Sequence, residues 1–374
     1  MRRLKGSDHF KVLIPDGESN HSLSVLRCLG EVKNIEVIVL SNNKSAPIRF
    51  SRYCFQFISY SEGNSEEEKL NAIINKLKEL DIDVVLPVDI KTIYLFSKYK
   101  ERISKLATIA PLPDFDSFNT SNDKWLLALW LEENNIPYPN TIQYDASIGF
   151  QNTTDYLTYP ILIKPRLGSG GVGIEVFDDA SNLEVFVIDI TNHEEFIIQS
   201  YVNGYDIDCS VLCDRGKIIA HTIQKGFDFE PKRIAWPSGI EFLCDDKIYD
   251  IVIKIVEKFN WSGIMHIDMR YDEESHQYKV IEINPRFWAS VIASVFTGVN
   301  FPYLTCLLAL KKDVPDINLI PKRVVRSKKA FKMFVKRILG KNQKDYYLYN
   351  SYSEIIIRDP MPEVYKVFKR FFRI

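Results

Sequence analysis

The residues best suited to chemistry form two groups far apart in the chain. In Ile161-Leu-Ile-Lys-Pro-Arg-Leu-Gly-Ser-Gly-Gly-Val-Gly-Ile174 an apolar run delivers Lys164 at its end. A loop holding Gly168, Gly170, Gly171 and Gly173 then leads into a second apolar run, Ile174 to Phe177. Glycines let backbone N–H groups turn toward an anion with no side chain in the way. A lysine beside them supplies a point charge suited to phosphate. The spacing is neither GxGxxG nor a P-loop, because no helix-opening GK[ST] follows, and a glycine-rich hairpin with a surface lysine is the plain alternative. In the second group, Glu282 and Asn284 are two apart on a strand and share a face, and Asp268 on the expected hairpin partner meets them across the ladder. Two carboxylates and an amide oxygen form an all-oxygen site for Mg²⁺ with phosphate oxygens and water. Arg286 adds a fixed cation just beyond. The competing reading is a solvent-facing polar strand face.

The chain around these groups has 374 residues, enough for two or three domains and a large core. Hydrophobic content of 46% and charged content of 26% are those of a globular protein. A formal net charge of −1 argues against a globally basic nucleic-acid binder. The six cysteines are scattered and only Cys209 and Cys213 are close, which fits free thiols in a reducing compartment. No apolar stretch approaches the ~18 residues a membrane span needs, so a cytoplasmic location is expected.

The elements that must position the two groups read as an α/β chain. Lys11 to Gly17, Glu36 to Ser41, Phe55 to Tyr60 and Asp83 to Asp89 read as strands. They alternate with helices from Ser19 to about Leu29 and from Glu66 to Leu80, the pattern of a parallel sheet over residues 1–114. Only Gly17 follows the first strand, so no dinucleotide fingerprint is present. After the Pro111-Leu-Pro linker a helix is expected from near Ser121 to Asn135, with Asp123 and Lys124 in its first turn. A small α/β unit follows: strand 154–157, the lysine–glycine flap, a helix at 181–190 and strand 195–202. Asn203 to Asp206 reads as a hinge. A hairpin at 206–223, a polar stretch at 225–233 and a Trp236-Pro-Ser-Gly239 turn come next. A helix at 246–259, strands 263–270 and 279–284, and an apolar helix from Arg286 to about Phe296 complete the unit. The domain reading is therefore 1–114, 115–202, 203–315 and a basic extension, 316–374.

Lys124, Lys164 with its glycine loop, Gln199-Ser-Tyr-Val202 with Asp206, and Asp268…Glu282-Ile-Asn284-Pro-Arg286 together resemble the ATP-grasp superfamily. The ordered set is most similar to ATP-dependent carboxylate–amine ligases, whose final signature Asn-Pro-Arg-x-x-x-Ser stands here as Asn284-Pro-Arg-Phe-Trp-Ala-Ser290. The match runs over roughly residues 115–310. The resemblance implies an α+β catalytic region with a small flap subdomain and an antiparallel-sheet subdomain. It implies that Lys124 and Lys164 contact the phosphates of ATP while Gly168, Ser169, Gly170, Gly171 and Gly173 close over them. Gln199 and the backbone of Tyr201 and Val202 would face adenine, and Asp206 the ribose. Asp268, Glu282 and Asn284 would hold one or two Mg²⁺ ions, or Mn²⁺, and Arg286 would steady the transferred group. Gln199 and Asp206 stand where glutamate is frequent in the family.

The implied reaction activates a carboxylate as an acyl phosphate, which an amine then attacks, with ADP and phosphate released. Small-molecule acid and amine substrates are expected and nucleic acid is not; monomer and homodimer are both compatible. Two other classes would use the same residues: a kinase that stops at a phosphorylated product, and a nucleotide-binding regulator without turnover. Arg233, Trp236 and Ser238 fall where such proteins recognise the acyl substrate, with Arg233 as a catalytic candidate. His266 reads equally as a core histidine or a ligand, and Phe287-Trp288 as core. Between Asp316 and Asp345 there is no acidic residue, and Phe331, Phe334, Val335, Ile338 and Leu339 mark one apolar helix face. That helix packed on the body is the main expectation. Weak peripheral contact with an anionic membrane, through it and the similar mix of residues at 364–374, is the secondary one.

Overall fold

The computed structural model describes residues 9–143, 157–183, 195–227, 237–327 and 350–372. Its first sheet is parallel, with β1 (Phe10–Ile14), β2 (Ile35–Ser41), β3 (Cys54–Ser59) and β4 (Val84–Val85) in the order β3-β2-β1-β4. Helices α1 (Ser22–Gly30), α2 (Glu66–Glu79), α3 (Ile90–Lys98) and α4 (Lys100–Ser104) are its helical partners. Successive strand residues point to opposite faces. Val12, Ile14, Val37 and Val39 pack with Leu26 and Leu29 of α1, while Leu13, Ile38 and Leu40 pack with Leu70, Ile73 and Phe96. Both faces are thus covered, as parallel sheets require. Strand 83–89 contracts to two paired residues, because beyond Val85 the chain turns into the loop at Val88 and Asp89. There Asp16 Oδ2 accepts hydrogen bonds from the Val88 and Asp89 N–H groups at 3.0 and 2.7 Å.

The linker differs from expectation. Residues 115–122 are already helical, as α5 (Phe115–Asn122) capped by Asp114, and the chain then breaks before α6 (Lys124–Glu133). Asp123 is the N-cap of α6, accepting from the N–H groups of Trp125 and Leu126, so it cannot continue α5.

The flap is an antiparallel sheet of β5 (Thr141–Ile142), β6 (Ile161–Pro165), β7 (Glu175–Phe177) and β8 (Phe196–Ser200), in the order β5-β8-β6-β7. Most of the expected strand 154–157 and of the helix 181–190 lie outside the described residues. A six-stranded sheet follows, built from β9 (Gly204–Asp214), β10 (Lys217–Phe227), β11 (Gly239–Leu243), β12 (Gly263–Asp272), β13 (Gln277–Asn284) and β14 (Arg323–Val325), in the order β13-β12-β9-β10-β11-β14. Gly204 to Asp206, read as a hinge, are the first rungs of β9 and pair with Asp272 to Arg270. Helix α7 (Asp246–Lys258) covers one face. Its Ile248, Val252, Ile255 and Val256 meet Ile207, Cys209, Met265 and Ile267. The helix expected from Arg286 to Phe296 shortens to α8 (Val291–Ser294) and one 3-10 turn, and α9 (Phe301–Ala309) follows. Residues 287–290 form a bend because Arg286 and Phe287 are bonded to the site and to the Val88 carbonyl instead. All six cysteines are free.

The basic helix expected at 331–340 lies outside the described residues. Beyond it, α10 (Tyr352–Arg358) and α11 (Met361–Phe372) return to the N-terminal sheet. Asp359 between them is buried and accepts from Arg27 Nε at 2.9 Å, Ser51 Oγ at 2.8 Å and Arg52 N at 2.9 Å. Asp359→Ala would leave the buried Arg27 Nε and Ser51 Oγ without their acceptor while Glu363 still pairs with Arg27, so it should cost about 1–3 kcal/mol. Denaturant unfolding measures this, and an unchanged midpoint would contradict a structural role for the clasp.

Candidate active site

Period-2 alternation divides the large sheet. The odd residues Ile207, Cys209, Met265 and Ile267 enter the core, and the even ones face the flap. Strand register then builds a polar row. Glu282 pairs with Asp268, Asp268 with Asp208, and Asp208 with Gln224. One step along, Asn284 pairs with His266 and His266 with Ser210. Asn284 Nδ2 donates to Asp268 Oδ2 at 2.8 Å and Glu282 Oε1 at 3.0 Å, tying the two carboxylates together. His266 Nε2 lies 3.0 Å from Asp268 Oδ1, its Nδ1 2.8 Å from Ser210 Oγ, and its ring stacks on Trp288. Trp288 and Phe287 are core residues, although Trp288 also reaches the cavity wall.

Across from this row, Ile161 and Ile163 of β6 enter the small flap core, which leaves Lys164 on the opposite face. Lys164 Nζ donates to Gln199 Oε1 at 2.7 Å, and Gln199 Nε2 to Thr141 Oγ1 at 2.8 Å. The loop after β6 has positive φ at Gly168, Gly170, Gly171 and Gly173, a conformation that side chains with a Cβ rarely adopt. Three side chains tie the flap to the sheet and to α6. Lys124 Nζ donates to the Gly168 carbonyl at 2.7 Å and lies 3.3 Å from Glu282 Oε2. Arg286 Nη2 donates to Ser169 Oγ at 2.8 Å and to Asn284 Oδ1 at 3.0 Å. Arg166, bound to the cap residue Asp123 at 2.7 Å, stitches the start of α6 to the flap. Between them lies a cavity of about 470 Å³ whose wall includes Lys164, Ser169, Gly170, Gly171, Asp206, Asp208, Asp268, Glu282, Asn284 and Arg286.

The charges in this cavity are crowded. Burial lowers the Lys164 ammonium to about 8, with Lys124 adding to the effect and Glu282 opposing it. Desolvation in the cleft and the neighbouring Asp268 push Glu282 up, and the same two causes push Asp208 well above the carboxylate range. Asp268 moves the other way: desolvation opposes its charge, but His266, Glu282 and Arg286 together hold the carboxyl low. Three carboxylates of which two resist ionisation are a donor set that a divalent cation would relieve. The residues therefore fit such an ion.

Lys124, Gly168, Gly173, Gln199, Tyr201 and Val202 are not among the residues lining this cavity. Tyr201 N donates to the Pro160 carbonyl, and the Val202 carbonyl accepts from Arg270 Nε at 2.6 Å. Asp206 lines the cavity and pairs with Arg270. Arg233 and Trp236 lie outside the described residues, while the Ser238 carbonyl accepts from Arg326 N. Sequence reasoning missed Asp208, Gln224 and Arg270. For Asp208 the signal was available, since Asp206-Ile-Asp208 puts it on the same face as a residue already singled out.

The profile of the ATP-grasp domain family matches residues 121–290, the span from the start of α6 to the end of this site. This segment is an ATP-grasp domain. The carbamoyl phosphate synthase large chain of Corynebacterium glutamicum is 24% identical to the chain over 223 residues, 55% of this chain and 20% of that one. The chain therefore spans about a fifth of that relative's length. Among solved structures, a biotin carboxylase complex from Campylobacter jejuni superposes with a TM-score of 0.64 at 18% identity, covering 83% of this chain and 74% of that one. The L-amino acid ligase of Bacillus licheniformis gives 0.60 at 18% identity, with 83% and 75% covered. At these identities the ATP-grasp fold is what is shared, a mixed α/β architecture of parallel and antiparallel sheets.

Proposed function

We propose that the chain is an ATP-dependent carboxylate–amine ligase that activates an acid as an acyl phosphate and joins it to an amine. The observation that carries this reading is the pair of bridges, Lys124 to Glu282 and Arg286 to Ser169, which bring a phosphate-suited loop onto a carboxylate row. The names of the related proteins, a carbamoyl phosphate synthase, a biotin carboxylase and an L-amino acid ligase, support it. The units 1–114, 115–202, 203–315 and 316–374 would be scaffold, flap, catalytic sheet and extension.

Lys164, Lys124 and the 168–173 loop would take the ATP phosphates, and Asp206 the ribose. Gln199 would act through Lys164, whose ammonium it aims, as much as on adenine; Tyr201 and Val202 would shape that end of the cleft. Asp268, Glu282 and the added carboxylate Asp208 would hold Mg²⁺, or Mn²⁺. Asn284 would ligate through Oδ1 only after rotating its amide away from the carboxylates and Arg286. When bound, the metal neutralises charge on the transferring phosphoryl oxygens. Arg286 would orient the acyl group, and the segment holding Arg233 and Ser238 would contact the acid. The closed flap would exclude water from the acyl phosphate. A location in the cytoplasm is part of this reading.

Phosphate release should require acid and amine together, and product mass should equal their sum less water. A phosphorylated acid that remains the final product when amine is present, with no product of the summed mass, would instead identify a kinase. A pH profile gives a second check. The Lys164 value lies below that of an ordinary lysine, so its charge is present below about pH 8 and lost above it. kcat/KM for ATP should fall on an alkaline limb near that pH, and Lys164→Arg should move the limb upward. An unmoved limb would exclude Lys164 as its source.

A further inference from the structure

The parallel sheet brings a further set of side chains to the cleft. In the order β3-β2-β1-β4 the connections switch sides between β1 and β4, and open parallel sheets take ligands outside the carboxyl ends of their strands at such a point. The loops 15–21 and 86–89 leave β1 and β4 there. Both are held in place. Gly17 N donates to the Leu40 carbonyl at 2.7 Å, Ser22 Oγ to the Asp16 carbonyl at 2.7 Å, and His21 N to Ser19 Oγ at 3.2 Å. Phe287 N, next to Arg286, donates to the Val88 carbonyl at 3.3 Å. The crevice meets the catalytic cavity at His21, which alone among the described lining residues comes from the parallel-sheet unit.

The His21 side chain holds nothing in the fold. The residue stands at the N-cap of α1 without capping it, and among the described residues its ring makes no hydrogen bond. Burial and the nearby Arg286 lower the imidazole to about 4, against the opposing pull of Asp89, so the ring is neutral at pH 7 and offers a lone pair. Asp89 is in electrostatic reach of both His21 and Arg286, and among the described residues its carboxylate accepts only from Ser19 Oγ. A carboxylate beside a neutral imidazole suits a group that is cationic and rich in N–H donors, and repels a further anion. We infer that His21 and Asp89 receive the attacking amine, His21 accepting from its N–H and Asp89 balancing its charge as an ammonium, so that the nitrogen is presented to the acyl group at Arg286. This rests on the ligase reading and adds to it the seat of the second substrate.

Two assays on the full-length protein separate the halves of the reaction. Hydroxylamine traps an acyl phosphate as a hydroxamate without needing a seat for the amine, so hydroxamate formed from the proteinogenic amino acids and short carboxylates measures acid activation. Ligation to ammonium or to the same amino acids measures use of the amine. His21→Ala should raise KM for the amine about tenfold or more, while KM for ATP and for the acid moves less than about twofold. His21→Gln, which keeps an acceptor at similar reach, should recover part of the loss. Asp89→Asn keeps an acceptor for Ser19 and tests the same seat through a second residue; it should raise the amine KM at least as far. An amine KM unchanged in both His21→Ala and Asp89→Asn, or an acid or ATP KM that rises equally, would overturn the inference and leave the ligase reading standing. So would hydroxamate formation by an enzyme that accepts none of these amines. Wild-type protein that forms no hydroxamate from any acid would overturn the ligase reading, and the inference with it.

Discussion

Glu282→Gln should lower substrate-dependent ADP formation by at least about 10²–10³-fold while leaving the protein folded. The substitution keeps size and an acceptor for Asn284 Nδ2, which lies 3.0 Å from the present Oε1. Lys124 keeps its bond to the Gly168 carbonyl, so the flap contact survives. What disappears is one negative charge, and the folded state holds that charge at a cost: desolvation and Asp268 push the Glu282 carboxyl up. Removing it relieves repulsion, and the thermal midpoint should change little or rise. The loss should therefore appear in turnover and in the magnesium dependence of ATP binding rather than in stability. Steady-state ADP release over a magnesium titration, beside a melting curve, separates the two. Full activity in this variant would mean that the carboxylate row does not handle the metal.

Arg286→Lys should cost about a hundredfold in turnover although the charge is retained. The guanidinium makes three contacts at once, to the Phe287 carbonyl at 2.8 Å, Asn284 Oδ1 at 3.0 Å and Ser169 Oγ at 2.8 Å. A lysine has a single nitrogen and cannot span that fork. Ser169→Ala removes only the flap end of the network and should cost several-fold, because a neutral hydroxyl contact is worth about 1 kcal/mol. If the two variants lose activity equally, Arg286 acts by latching the flap and not at the reacting group. If Arg286→Lys is unimpaired, only its charge matters.

Much of this site was legible because it rests on strand periodicity. Glu282 and Asn284 at a spacing of two were legible as a shared face, but the register shift between Asp268 and Met269 that sets Asp268 opposite Glu282 was not. The lysine at the end of Ile161–Pro165 was legible for the same reason, as alternation sends Ile161 and Ile163 inward and Lys164 out. Side chains that reach back to distant backbone were not legible. Arg270 braces the Val202 and Gly204 carbonyls and the Tyr201 hydroxyl, partners that become neighbours only after β12 pairs with β9. The division of the 115–133 region into two helices was missed because Asp123 fits a helix first turn as readily as a cap. Its pairing with Arg166, just beyond a strand that comes later in the chain, is a tertiary fact. Asp359 illustrates the same limit, as its partners Arg27, Ser51 and Arg52 lie more than three hundred residues earlier.

The central question is whether flap lysine and sheet carboxylates hold one nucleotide between them. Determining the structure with magnesium and a non-hydrolysable ATP analogue answers it. The expected result is a metal about 2.0–2.1 Å from a Glu282 oxygen, with Lys164 Nζ and the Ser169–Gly171 backbone on the phosphates. A nucleotide seated instead in the separate cavity of about 370 Å³ beside Lys69 and Tyr94, with no phosphate near Glu282, would contradict it.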